Sequence, residues 1–220
     1  MLVFFHTTLA NADSFEAIAQ ELAPGLATRH VVRADLLDRG RELGSGSLAL
    51  KQEVALAIEE SIQEGDALLL CTCSTIGAGA DLAVHSRIPV LRVDRPMAGA
   101  AVAYGNRILV AACLASTVQA TEDLIREAKP DANIETLLIE DAWPDWVAGN
   151  KHAYWTRIAN SIEQHIHRFD AVVLAQASMA GAADLVTNST VPVLSSPRLG
   201  VGTAISQMAG QVQKTGVITA

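Results

Sequence analysis

The chain has 220 residues, half of them hydrophobic, with a formal net charge of −8 and a pI near 5.2. That length is enough to bury one large or two small cores, and the acidic balance, with no lysine or arginine cluster, argues against a nucleic-acid or anionic-membrane surface and leaves a small molecule as the partner. Three cysteines, two of them separated by one residue, make no disulfide framework and fit a reducing, cytoplasmic setting.

In chain order, "MLVFFHTTLANADSFEA" is apolar but lacks a basic n-region and is interrupted by His6, so it reads as a buried first strand and not as a signal peptide. "RHVVRADLL", "DALLLCT" and "IPVLRV" follow as strands. Between them "GRELGSGS" (40 to 47) reads as a flexible connection near a cleft mouth, and "LALKQEVALAIEESIQ" (48 to 63) as a helix with apolar residues recurring at three and four. The second half offers the strands "RILVAAC", "NIETLLIED", "DAVVLAQ" and "VPVLSS", with helical patterns at 121 to 128 and 151 to 167. No run approaches the roughly 18 apolar residues of a membrane span. Four strands answering four predict an α/β fold of two pseudo-symmetric, doubly wound lobes, each with a four-stranded, mostly parallel sheet. Residues 1–97 form the first lobe, 98–200 the second, and 201–220 a C-terminal helix packing back on the first.

The halves are related by an internal repeat: "FDAVVLAQASMAGAADL" (169 to 185) follows the pattern of "GDALLLCTCSTIGAGADL" (65 to 82) with the cysteines gone. Aligned from the carboxyl end, Cys73 pairs with Gln176; counted from Asp66 and Asp170, Thr72 pairs with it. Parallel sheets bind ligands beyond the carboxyl ends of their strands, so two facing lobes converge on one cleft. The residues just after the strands are His6, Thr7 and Thr8, then Thr72 through Thr75, Ser116 and Thr117, and Gln176 through Ser178. Cys73 falls where a strand gives way to a helix, whose unpaired N–H groups and partial positive charge suit an anionic sulfur acting as a nucleophile or carbon-acid base. Ser74 and Thr75 add hydroxyl donors, and Gly77 and Gly79 would let a ligand approach the backbone. Cys71 and Cys113, flanked by apolar residues, read as buried structural thiols.

The repeat and the order of elements resemble the aspartate/glutamate racemase superfamily, which includes hydantoin racemases, maleate isomerases and arylmalonate decarboxylases. "CTCST" followed by "IPVLRVDRPMAGAAVAYGNRILVAACLAST" (88 to 117) is similar to the family's first cysteine motif and the elements after it. "DAVVLAQAS" and "VPVLSSPRLGVGTAISQMAG" sit where the second motif and its sequel belong. The resemblance implies two facing cysteines that work without metal or organic cofactor, one removing a proton beside a carboxylate and the other returning it to the opposite face. By position, Cys73 is then one acid/base, Ser74 and Thr75 are carboxylate donors, and Thr7 and Thr8, with Ser116 or Thr117, finish the polar wall. The departure is Gln176, since an amide cannot exchange protons near neutral pH. We therefore expect it to orient a substrate carboxylate or carbonyl from the face opposite Cys73, with Ser178 beside it. The resemblance also implies a homodimer.

His6, after the first strand, is a second acid/base candidate because imidazole titrates near pH 6.5; a core or capping role competes with it. The segment 140 to 155 gathers all three tryptophans around a Pro and a Gly and reads as a loop pinned by packing or as a lid. The glycines of "TIGAGADL" have the wrong spacing for a dinucleotide fingerprint, and His30, His85 and His152 read as having no cysteine or carboxylate at metal-ligand spacing, which argues against a metal site. The leading expectation is a cofactor-independent racemase, isomerase or decarboxylase-like enzyme acting beside a carboxylate or related carbonyl through a single thiol. The alternative is a non-catalytic small-anion sensor of the same fold.

Overall fold

Short runs of leucine, valine, isoleucine and phenylalanine, too brief for helices and bounded by polar turns, pair into two separate parallel sheets. The structure is a computed structural model and describes residues 1–216, with side chains through residue 211. The first sheet has the order β2-β1-β3-β4, from β1 (Leu2–His6), β2 (Thr28–Val32), β3 (Leu68–Cys71) and β4 (Val90–Arg92). The second repeats it as β6-β5-β7-β8, from β5 (Arg107–Ala112), β6 (Asn133–Leu138), β7 (Ala171–Leu174) and β8 (Val193–Ser195). Among the described residues no helix is long and apolar enough to cross a membrane.

Both sheets are covered on both faces, which is why their central strands are continuously apolar. In the first, Val3, Phe5 and Leu69 meet α3 (Leu48–Ser61) and α4 (Ser74–Ala80), while Leu2, Phe4 and Leu70 meet α1 (Ala12–Leu22) and α9 (Ser196–Gly216). In the second, Ile108 and Val110 pack on α5 (Arg95–Tyr104) and α6 (Ala115–Ala128), and Leu109, Val172 and Leu174 pack on α8 (Lys151–Glu163). Thus α5 follows a strand of the first sheet but packs on the second, and α9 does the reverse, with Val201 and Ala204 in the first core. The two crossings touch: a Cβ on Gly200 would lie 2.5 Å from the Val93 side chain and 2.6 Å from its carbonyl oxygen, so only glycine fits. Of the C-terminal stretch, residues 217–220 lie outside the described residues.

Equivalent hydrogen bonds relate the sheets. Thr72 N donates to Phe5 O as Ala175 N does to Ala111 O, and Leu69 N donates to Pro89 O as Val172 N does to Pro192 O. These place Cys73 in register with Gln176, and Ala67, not Asp66, with Asp170. The connection expected at 40 to 47 is instead helical at its start: α2 (Ala34–Leu43) runs through Gly40, and only the residues after Leu43 turn, with Gly44 at φ 78°. Gly40 is there for helix packing, since a Cβ would come within 2.8 Å of Thr75 Cγ2.

Candidate active site

The carboxyl ends of β1, β3, β5 and β7 converge on a cavity of about 80 Å³ between the lobes. Ten of the residues expected from sequence line it: Thr7, Thr8, Thr72, Cys73, Ser74, Thr75, Thr117, Gln176, Ala177 and Ser178. Leu37, Leu114, Trp143 and Trp146 supply the apolar part of the wall. Ser116 is not among the lining residues; it sits half-buried on the first turn of α6, one residue from Thr117, whose side chain turns back to donate to Leu114 O at 2.8 Å.

Cys73 occupies the N-cap of α4 with extended backbone (φ −117°, ψ 118°), and its side chain makes no capping hydrogen bond. Of the three cysteines it alone lines the cavity. Burial pushes the Cys71 thiol far up, and burial, opposed by a hydrogen bond with Tyr154, pushes Cys113 up to about 11. The next residue spans the lobes, Ser74 Oγ donating to Ala175 O at 3.2 Å. Gly77 and Gly79 are not among the residues lining the cavity. A Cβ on Gly77 would lie 2.7 Å from Arg92 Nε, and one on Gly79 would lie 2.5 Å from Val54 Cβ, so both permit close packing behind α4.

Gln176 holds the same place in the second lobe, N-capping the 3-10 segment Ala177–Leu185 with φ −130° and ψ 138°. Its Oε1 accepts from the N–H groups of Cys113 (2.6 Å) and Leu114 (3.1 Å). Two N–H donors fix which end of the amide is oxygen, so only the NH₂ group remains for a ligand, and it can only donate. In the first lobe the equivalent residues are Thr7 and Thr8, whose N–H groups have no partner among the described residues. Beyond Gln176, Ser178 Oγ lies 3.0 Å from the Tyr154 hydroxyl, and Trp155 Nε1 donates to Ser178 O at 2.8 Å. Trp143 and Trp146 pack on the Tyr154 ring with centroids 6.4 and 5.3 Å away. The tryptophan segment therefore packs on the second core and walls the cavity at once.

Residues 2–204 match the Asp/Glu/hydantoin racemase family. The chain belongs to that family. Solved structures similar to this racemase-family chain include glutamate racemase isoform RacE1 from Bacillus anthracis, at 15% identity and TM-score 0.69, covering 99% of this chain and 83% of that one. The aspartate racemase of Picrophilus torridus is also 15% identical, with TM-score 0.70 and 94% of each chain covered. The allantoin racemase of Klebsiella pneumoniae is 18% identical, with TM-score 0.58, covering 98% of this chain and 89% of that one.

His6 is a correction to the sequence-based expectation. It ends β1 with 1% exposure, does not line the cavity, and stacks on Phe4. Its Nδ1 lies 2.8 Å from Thr72 Oγ1 and its Nε2 lies 2.9 Å from His30 Nδ1. Burial, reinforced by the neighbouring His30, lowers its pKa to about 4, so it is neutral at pH 7 and supports the wall from behind. Strand alternation carries the missing signal: His6 shares the face of Leu2 and Phe4, which meets α1 and not the cleft. Trp143 and Trp146 reach the cavity from a segment between β6 and β7; their clustering around Pro144 is the signal, and it does not say which of the tryptophans face the cavity.

Proposed function

We propose that this racemase-family protein is a cofactor-independent enzyme that moves a proton at a carbon beside a carboxylate or related carbonyl, with Cys73 as its single acid/base. The observation carrying this is the asymmetry of one cavity: a thiol on the first lobe's N-cap and a non-titrating amide on the equivalent N-cap of the second. The free N–H groups of Thr7 and Thr8 and the hydroxyl of Thr75 suit a carboxylate, and the Gln176 NH₂ group donates to a second oxygen. The Cys73 thiolate takes the proton from carbon, the electron pair passes into the enolate held by those donors, and the thiol returns a proton to the same face. The small cavity with two tryptophans on its wall suits a compact substrate. The reading includes a cytoplasmic homodimer, which sedimentation tests.

The assay is deuterium incorporation from D₂O into each enantiomer of a panel of amino acids and hydantoins, and into malonates. The reading expects exchange or decarboxylation in which product forms with one handedness. Rapid exchange with inversion of both enantiomers would reveal a second base and overturn the role given to Gln176. A second reading, a non-catalytic anion sensor, is favoured by the committed amide oxygen of Gln176; tight anion binding by calorimetry with no exchange on any substrate selects it.

A further inference from the structure

A hydrogen-bonded line that this chemistry does not use runs from the surface to the residue before Cys73. Glu16 Oε2 on α1 lies 3.1 Å from His30 Nε2, His30 Nδ1 lies 2.9 Å from His6 Nε2, and His6 Nδ1 lies 2.8 Å from Thr72 Oγ1. The two imidazole planes agree within 6° with centroids 5.2 Å apart, so the central N–H points along the partner's in-plane lone pair. Exposure falls along the line, from side chains 39% exposed at Glu16 and 25% at His30 to residues 1% exposed at His6 and 5% at Thr72.

Counting protons leaves two complete patterns. With both imidazoles neutral, Thr72 donates to His6, His6 Nε2–H donates to His30, and His30 Nε2–H donates to Glu16. One added proton makes His30 a donor at both nitrogens, so His6 must accept at Nε2 and carry its hydrogen on Nδ1. His6 then donates to Thr72, and the Thr72 hydroxyl turns to its other neighbour, Phe5 O at 3.1 Å. We propose that Glu16, His30 and His6 are positioning residues holding one exchangeable proton, whose presence decides whether the Thr72 hydroxyl, beside Cys73, is aimed at His6 or at Phe5 O.

The groups facing His30 are Glu16 from α1 and His6 from β1. Glu16 stays an acceptor throughout: the Thr28 hydroxyl at 2.6 Å, then His30 and the Gln20 amide at 2.9 Å, hold its carboxyl below the usual range. Only His30 of the two rings touches a carboxylate, Glu16, while His6 is buried between His30 and Thr72, so the added proton is placed on His30 and His6 only changes tautomer.

The test is long-range ¹H–¹⁵N spectroscopy of the histidine rings of the full chain between about pH 5 and 8, the range in which imidazoles titrate. The N–H of a neutral His6 should move from Nε2 to Nδ1 as pH falls, with the midpoint at which the His30 ring becomes doubly protonated. Glu16→Gln should shift both midpoints together to lower pH. A single His6 tautomer across the range, a doubly protonated His6 there, or midpoints that separate in Glu16→Gln would overturn the proposal. The spectra need no substrate, so this outcome is distinguishable from failure of the thiol chemistry; where a substrate is found, kcat should carry the same ionisation and the same shift.

Discussion

The two lobes share a sheet order, a register and the backbone of the N-cap after the third strand, yet their equivalent N–H pairs are used in opposite ways. In the first lobe Thr7 and Thr8 line the cavity with N–H groups that have no partner among the described residues, and a thiol stands at Cys73. In the second the corresponding pair, Cys113 and Leu114, is closed by the Gln176 amide oxygen. One difference between the repeated lobes thus puts an amide where the other has a thiol and closes a pair of backbone donors with the side chain's own carbonyl. Pseudo-symmetry of the backbone says nothing about symmetry of the chemistry.

The comparison breaks most visibly through Cys73. Cys73→Ser should lower deuterium exchange by about 10²- to 10⁴-fold, the usual contribution of a general acid/base, while the melting temperature hardly moves; exchange that survives would put the acid/base elsewhere. Acid should separate the lobes next. His6 has a folded-state pKa lowered from 6.5 to about 4, and its equivalent in the second lobe, Ala112, does not titrate. Above about pH 6.5 the ring is neutral folded or unfolded; below it the unfolded chain binds a proton that the folded chain refuses, so stability falls toward pH 4 by on the order of 3 kcal/mol. Urea titrations across that range should show the loss, and His6→Asn should flatten it.

A smaller change tests the closed corner. Gln176→Leu orphans the N–H groups of Cys113 and Leu114 and should cost about 1–3 kcal/mol in denaturant melts, whereas Cys73→Ala leaves no backbone donor unpaired and should cost less. Gln176→Cys should carry a similar cost while restoring a second thiol, and acquisition of two-sided exchange would tie the missing racemase symmetry to this residue. The mildest test is labelling. In the native protein Cys73 should react with iodoacetamide at least about tenfold faster than Cys71 or Cys113, whose thiols are buried. Equal rates would contradict its placement on an accessible wall.

The architecture was legible because strand-length apolar runs at regular spacing leave little choice but parallel sheets, and because "IPV" and "VPV" mark the same turn into β4 and β8. The polar wall was legible as residues just after strands. The register between Cys73 and Gln176 was not, since Asp66 and Asp170 invite an equivalence that the backbone does not honour. Asp66 is instead drawn to the Arg29 guanidinium and the Gln63 N–H, one residue before the strand pairing begins, so the extra residue of the first repeat sits in that turn. Gly40, Gly77 and Gly79 looked like loop or ligand glycines because sequence does not show what packs against a Cα. Only the facing Thr75, Arg92 and Val54 side chains explain them.

The contact of Gly200 with Val93 bears on how anything enters an 80 Å³ cavity. The chain passes between the lobes at both residues, side by side, so the lobes are tethered at one place rather than at two distant ones. A tether of that kind allows the lobes to swing apart about a single hinge while barring sliding or exchange of their faces. Any such swing would have to break the Ser74 Oγ to Ala175 O hydrogen bond, which joins the lobes beside the cavity.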